Sequence, residues 1–87
     1  MPYVIVVYDV QADRTQTFLA FLRRYLTCVQ NSVFEGELTE RMLEEMKADL
    51  ESMLETGESV MTYRMASEKY VDRVVSGDDP IDDQRFL

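Results

Sequence analysis

The sequence has no histidine and only one cysteine, and these absences exclude several kinds of site. Without histidine the common zinc-ligand spacings cannot form, and Cys28 alone cannot make an internal disulfide. The chain also lacks a glycine-rich phosphate loop and a nucleophile–histidine pair. No apolar stretch approaches the roughly 20 residues that a transmembrane helix requires. We therefore expect a cytoplasmic protein in a reducing setting, without membrane contact, whose chemistry relies on oxygen ligands.

Basic residues are scarce as well. Nine of them oppose seventeen acidic residues, which gives a net charge of −8, and only Lys47 and Lys69 are lysines. This balance is not typical of a simple nucleic-acid-binding protein, because such binding depends on neutralising phosphates with basic side chains. Any contact with nucleic acid would have to come from clustered arginines rather than from the overall field of the protein.

The most informative stretch that is present lies at the start of the chain. Residues 3–8 are an unbroken run of β-branched and aromatic side chains, too short for a membrane span, and the run ends in Asp9. It predicts a central strand buried on both faces. A carboxylate held at the end of such a strand is well placed to be a metal ligand or a catalytic base. The alternative is an aspartate that only caps the following turn.

The order of the remaining elements predicts an α+β fold. Helices on one face of a mainly antiparallel sheet give a ferredoxin-like βαββαβ sandwich, here with an extra C-terminal strand. That strand would pair with the sheet edge of a second copy in a homodimer. We assign residues 1–76 to this domain and 77–87 to an acidic C-terminal tail. The first predicted helix is capped by Asp13 or Thr15 and reaches Leu26. A strand region follows over 28–38, and it reverses or bulges near Gln30–Ser32 or Gly36. The second helix runs from Thr39 to Gly57, and strands follow over 59–65 and 70–75.

The residues alone favour oxygen-based metal chemistry at Asp9. Magnesium prefers carboxylate oxygens and retains several waters, so one aspartate from each of two subunits can suffice. A dimer that brings both Asp9 side chains to a shared cleft would hold one Mg²⁺ (or Mn²⁺) and activate a water against a phosphodiester. Nothing in the sequence spacing establishes that such a dimer forms.

Three stretches of the chain resemble a known family. They are the strand Tyr-Val-Ile-Val-Val-Tyr-Asp-Val at residues 3–10, the Asp13-Arg14 pair, and the run Val-Gln-Asn-Ser-Val-Phe-Glu-Gly-Glu-Leu at residues 29–38. In these stretches the sequence is similar to the CRISPR-associated endoribonucleases, the Cas-two proteins, and the likeness covers essentially residues 1–75. The strand at residues 3–10, which we call the first motif, is weakly specific. The run at residues 29–38, the second motif, is strongly specific at its distance from the first.

The resemblance implies a ferredoxin-like homodimer that takes part in spacer acquisition and bridges copies of the Cas-one integrase while holding the incoming DNA. For some family members it also implies magnesium-dependent endonuclease activity on RNA or DNA phosphodiesters. Asp9 matches the family's metal-site aspartate and Tyr8 the aromatic residue before it. We predict both as catalytic residues, with Asp9 also binding the metal; the alternative for Tyr8 is a strand-end aromatic in the core or the dimer interface. Arg14 matches a basic residue at the first helix, and Phe34, with Ser32, belongs to the second motif. As contacts to nucleic acid, RNA or double-stranded DNA, we predict Arg14, Arg23, Arg24, Arg64 and Arg73.

The sequence also departs from the family. Some nuclease-active members carry basic residues where this chain has Cys28, Gln16 and Phe18. The loss of these charges bears on catalysis more than on assembly. A non-catalytic dimeric scaffold that bridges integrase subunits and holds duplex DNA is therefore the alternative to a nuclease. A sensor of small ligands is a third hypothesis, but no sequence feature specifies its pocket.

Overall fold

The fold is a four-stranded antiparallel sheet with two helices, as predicted. The computed structural model describes residues 1–78, so most of the predicted acidic tail, residues 79–87, lies outside the described part. The elements in chain order are β1 (Tyr3–Asp9), α1 (Thr15–Leu22), β2 (Thr27–Gln30), β3 (Val33–Glu37), α2 (Glu40–Met53) and β4 (Ser59–Met65). Short 3₁₀ turns at Ala12–Arg14 and Glu68–Tyr70 precede α1 and follow β4.

The sheet has the strand order β2-β3-β1-β4, which places the apolar β1 in the middle. Alternate residues of β1 face the helices, and Val4, Val6 and Tyr8 are buried there. The helices contribute Phe18 and Leu22 from α1 and Leu43, Met46 and Leu50 from α2 to the same cluster. Both helices therefore cover one face of the sheet, as the ferredoxin-like prediction requires.

No helix within residues 1–78 covers the opposite face of the sheet. In the ladder Ile5 lies opposite Tyr63 and Val7 opposite Met61, and residues opposite each other in a ladder point to the same side. Ile5 and Val7 are partly buried, whereas Met61 and Tyr63 are half exposed. We call this apolar surface, formed by Ile5, Val7, Met61 and Tyr63, the open face.

The predicted reversal after β2 is present, and it divides the region 28–38 into two strands. Asn31 and Ser32 form the turn, and the register shifts between Cys28 and Gln30, as in a β-bulge. Thr39 caps α2 as predicted, since its hydroxyl accepts from the amide of Met42 at 3.1 Å. The helix ends at Met53, earlier than predicted, and Gly57 lies in the following turn with φ of 86°.

One local prediction is wrong. Neither Asp13 nor Thr15 caps α1, because a 3₁₀ turn leads into the helix and Arg14 occupies the cap position without a side-chain hydrogen bond. The strand predicted over 70–75 to pair with the sheet edge of a second copy stays a prediction. Tyr70 ends a 3₁₀ turn, and residues 71–76 pair with no strand of the described chain. An extended apolar segment becomes a strand only where a free sheet edge meets it, which a local pattern does not encode.

Within residues 1–78 there is no helix with both the length and the apolar character needed to cross a bilayer.

Candidate functional site

Asp9 is the last residue of the central strand, and its side chain is exposed. It lies opposite Ser59 of β4, and the alternation along β1 places it on the same side of the sheet as Ile5 and Val7. Its carboxylate makes no hydrogen bond or ion pair with any residue in the range 1–78. The predicted metal ligand is thus held by the sheet backbone, while its oxygens remain available to a ligand.

A cleft of about 590 Å³ opens beside Asp9. It lies between the end of β1, the first turns of α1 and the β2–β3 turn. Hydroxyl, amide and carboxylate groups make up most of its polar lining, which includes Asp9, Thr15, Gln16, Gln30, Asn31 and Ser32. Because these groups both donate and accept hydrogen bonds, the cleft suits a polar ligand.

Tyr8 also borders the cleft, but its ring is buried in the core. The ring stacks on Phe18 at 5.7 Å and on Phe34 at 6.2 Å between centroids. The hydroxyl donates to the carbonyl oxygen of Asn31 at 3.3 Å. Burial raises the pKa of Tyr8 above its usual value, with a smaller contribution in the same direction from Cys28, while Arg23 acts in the opposite direction. The hydroxyl therefore stays protonated at neutral pH and links β1 to the β2–β3 turn.

The two residues singled out from the second motif have structural positions. Phe34 is fully buried on β3 and packs against the ring of Tyr8. Ser32 lies in the turn before β3, where its carbonyl oxygen accepts from the amide of Tyr8 at 3.1 Å, and it lines the cleft. The motif therefore supports the strand end that carries Asp9.

Arg14, predicted to contact nucleic acid, points into the protein. Its Nε and Nη2 donate to the two oxygens of Glu58 at 2.7 and 3.0 Å. Nη2 also donates to the carbonyl oxygen of Met53 at 2.6 Å, and Nη1 lies 3.1 Å from a carboxylate oxygen of Glu55. Every nitrogen of the guanidinium thus has a partner within the chain.

Two further predicted cations are also paired with carboxylates. Arg64 on β4 binds Glu40 at the start of α2, with Nη1 donating to Oε2 at 2.8 Å. Arg73 forms an ion pair with Glu35, whose Oε1 also accepts from the hydroxyl of Tyr3 at 2.8 Å. Glu35 is largely buried, so these partners satisfy an otherwise costly charge.

Arg23 and Arg24 remain accessible at the end of α1. Both are exposed, and neither lies within 4.0 Å of a carboxylate in the range 1–78. The guanidinium of Arg24 lies over the rings of Phe21 and Tyr25, at 5.7 and 5.9 Å from their centroids. Of the five arginines predicted to contact nucleic acid, these two have the accessible charge that a phosphate contact needs.

Asp9 suits a hydrated magnesium ion but does not form a complete site in one protomer. No group of three acidic or cysteine side chains that could hold a metal occurs among the residues that the structure describes. A single exposed carboxylate is compatible with Mg²⁺, which usually keeps several waters and takes one or two carboxylates. The residues therefore fit the metal only if further ligands come from water, substrate or a second copy.

Glu58 is the residue that the sequence analysis missed. It directly precedes β4, and its side chain is only 1% exposed although it carries a charge. The hydrogen bonds from Arg14 hold its pKa at about 2, well below the usual value. In the sequence it is one of seventeen acidic residues. The only local signal is its position between the turn glycine Gly57 and a strand.

The sheet order, the two helices on one face and the carboxylate at the end of the central strand define a ferredoxin-like α+β protein with an acidic site at the strand end. The model of the family described as CRISPR associated protein Cas2 matches residues 1–73. The chain belongs to this family.

Relatives and solved structures agree with this assignment. The chain is 47% identical over 76 residues to CRISPR-associated endoribonuclease Cas2 2 of Archaeoglobus fulgidus, covering 86% of this chain and 83% of that protein. It is 41% identical to CRISPR-associated endoribonuclease Cas2 of Haloferax volcanii, with coverage of 95% and 96%. A solved Cas2 structure is 40% identical with a TM-score of 0.83, covering 90% of this chain and 88% of that one. The Cas2 structure from Streptococcus pyogenes, 24% identical with a TM-score of 0.69 and coverage of 84% and 99%, supports the fold alone.

Proposed function

We propose that this protein is a homodimeric component of CRISPR spacer acquisition, and that it cleaves phosphodiester bonds of RNA or DNA at Asp9 with the help of Mg²⁺ or Mn²⁺. The observation that carries the proposal is the position of Asp9. Its carboxylate is exposed, has no partner among the described residues, and lies at the mouth of a polar cleft on the end of a rigid central strand. Family membership supports the CRISPR setting. Work alongside the Cas-one integrase is part of the proposal and follows from the sequence resemblance.

The open face supports the dimer. Its two exposed members, Met61 and Tyr63, are 52% and 51% exposed, and with Ile5 and Val7 they form an apolar surface across the inner strand β1 and the edge strand β4. The occupant that we propose is a second copy of this chain, related by a twofold axis that makes the face self-complementary. Glu35 also faces this side, but Arg73 and Tyr3 neutralise and hydrogen-bond it.

The same geometry links the dimer to the site. Asp9 lies on the side of the sheet that carries the open face, two ladder positions beyond Val7 and Met61. Two copies packed through their open faces would bring the two Asp9 side chains toward a common interface. In such an arrangement the two carboxylates would bind the metal, which supplies charge stabilisation and a nucleophilic water when bound. Arg23 and Arg24 would hold the phosphate backbone of the substrate.

The second candidate is a non-catalytic dimeric scaffold for the integrase and duplex DNA. It is favoured by the absence of a three-ligand metal group in residues 1–78 and by the internal pairing of Arg14, Arg64 and Arg73. These features leave fewer metal ligands and fewer free cations for hydrolysis, but they do not affect a dimer that only bridges its partners.

The test compares cleavage of labelled single-stranded RNA and duplex DNA by wild-type protein, Asp9→Asn and Asp13→Asn, each with Mg²⁺ or with EDTA. Asp13 is a matched control because it is an exposed aspartate four residues from Asp9. We expect magnesium-dependent cleavage by wild type and Asp13→Asn, and its loss in a folded Asp9→Asn. Equal cutting by all three proteins, or none by wild type, would reject the nuclease and favour the scaffold. Binding of the integrase by Asp9→Asn would then be measured.

A further inference from the structure

Glu58 has more partners than any other carboxylate in the described chain. Its oxygens accept from Nε and Nη2 of Arg14 at 2.7 and 3.0 Å, from the amide of Glu55 at 2.9 Å and from the amide of Gln11 at 3.3 Å. The side chain is almost completely buried. Charge-assisted, bidentate contacts of this kind fix direction as well as distance.

These partners come from both sides of Asp9. Gln11 lies two residues after Asp9 in the connection to α1. Glu58 itself comes directly before Ser59, the residue opposite Asp9 in the β1–β4 ladder. The backbone that leaves Asp9 and the backbone that enters the opposite strand are therefore joined through one carboxylate. Arg14 extends the link to the end of α2 through the carbonyl of Met53.

The same contacts engage all three guanidinium nitrogens of Arg14 and hold the group toward the protein. Each of its three nitrogens has an oxygen partner between 2.6 and 3.1 Å. Its aliphatic and guanidinium groups also lie over Phe18, with Cζ 5.4 Å from the ring centroid. If this side chain turned toward a substrate, the buried carboxylate of Glu58 would lose its cationic partner, which is costly.

We infer that Arg14 and Glu58 are positioning residues that hold the backbone on both sides of Asp9, and that Arg14 does not contact the nucleic acid. The inference rests on the proposed role of Asp9 as metal ligand. It assigns a function to an ion pair whose acidic member, Glu58, lies outside the three stretches that carry the family resemblance. Groups that orient a metal ligand through hydrogen bonds change metal affinity or activity by about 10- to 100-fold when removed.

The test uses Glu58→Gln, Arg14→Gln, their double variant, Gln11→Pro and the control Glu45→Gln. Gln11→Pro removes the amide donor to Glu58 without changing either member of the ion pair, and the φ of −61° at this position suits proline. Glu45 forms an exposed ion pair with Arg41 on α2, away from the site. Mn²⁺ affinity is measured by electron paramagnetic resonance, together with kcat, KM and the salt dependence of nucleic-acid binding, on protein shown to be folded by circular dichroism.

We expect Glu58→Gln, Arg14→Gln and Gln11→Pro to lower Mn²⁺ affinity or kcat by about 10-fold or more, with KM and the salt slope unchanged. The double variant should lose no more than the single variants, because both residues act through one contact. Glu45→Gln should match wild type.

A higher KM and a salt slope reduced by about one for Arg14→Gln alone would overturn the inference and make Arg14 a phosphate contact. Wild-type affinity and kcat in both Gln11→Pro and Glu58→Gln would also overturn it. Failure of wild type itself to bind Mn²⁺ would overturn the proposed metal site and this inference together. Binding by wild type with no loss in the variants would overturn this inference alone, so the two failures are distinguishable.

Discussion

The guanidinium of Arg14 and the carboxylate of Glu58 form two hydrogen bonds, at 2.7 and 3.0 Å, across 44 positions of the chain. This pair joins the connection after β1 to the turn before β4 and so closes one end of the sheet. The two charged side chains are therefore held by contacts within the fold, unlike ordinary surface charges. The effects of this pair should be visible in stability as well as in any activity.

The acid stability of the protein should depend on Glu58. Its pKa is about 2 in the folded chain, against an ordinary value of 4.5 that we take for the unfolded chain. Because the folded pKa is the lower one, the pair stabilises the protein fully above pH 4.5, and this contribution is lost as pH falls toward 2. The midpoint of thermal unfolding should fall over that range, and Glu58→Gln should lower it at neutral pH while flattening its pH dependence.

The control for this measurement is Glu45→Gln, which removes an exposed carboxylate of α2 and should leave the pH profile of wild type unchanged. A Glu58→Gln profile with the full wild-type slope would show that other carboxylates account for the acid sensitivity.

Local patterns predicted most of the fold. The stripe of Leu43, Met46 and Leu50 on α2 identifies a buried surface directly, because its spacing matches the period of a helix. The unbroken apolar run of β1 predicts a strand, but burial on both faces is incomplete, since Ile5 and Val7 on the open face are only partly buried. The turn at Asn31 and Ser32 was predicted from its polar residues. The strand over 70–75 stays a prediction, because it needs the sheet edge of a second copy, and a local pattern does not encode that edge.

The site was predicted less completely than the fold. The position of Asp9 at a strand end follows from the sequence, but the internal role of Arg14 does not, since its partner Glu58 lies 44 residues away. Charge alone does not distinguish an arginine that faces solvent from one that is paired inside. The packing of α1 against the turn before β4 decides this, and the sequence analysis did not resolve that contact.

The hydroxyl of Tyr8 should be dispensable for catalysis. Burial raises its pKa, so it is a hydrogen-bond donor to Asn31 rather than a base at neutral pH. Tyr8→Phe should retain most of the wild-type cleavage rate and lose about 0.5–1.5 kcal/mol of unfolding free energy. Tyr8→Ala should lose about 3–5 kcal/mol, because it leaves a cavity between Phe18 and Phe34. Cleavage assays and urea denaturation measure both effects. A loss of about 100-fold or more in Tyr8→Phe would instead assign proton transfer to the hydroxyl.

Arg23 and Arg24 should carry a large part of the affinity for nucleic acid. They are exposed and unpaired with carboxylates of the described residues, so each can neutralise a phosphate. Arg23→Gln and Arg24→Gln should each weaken binding and reduce the salt slope by about one. Arg41→Gln is the matched control, because Arg41 is equally exposed but paired with Glu45 on α2. Fluorescence anisotropy at several salt concentrations provides the measurement. Equal losses for Arg41→Gln would mean that binding follows net charge rather than this surface.

Self-association should depend on the open face. A glutamate in place of Met61 or Tyr63 would bury an unpaired charge in the middle of the proposed interface, at a cost that two apolar surfaces cannot offset. Met61→Glu and Tyr63→Glu should therefore be monomeric at concentrations where wild type is dimeric, as measured by sedimentation equilibrium. Met42→Glu is the control, since Met42 is also an exposed methionine, 36% exposed, but lies on α2 on the other side of the sheet.

If both open-face variants stay dimeric while folded, the two copies meet through another surface. The approach of the two Asp9 side chains would then lose its structural basis. If the variants are monomeric as expected, their cleavage rate shows whether one carboxylate is enough.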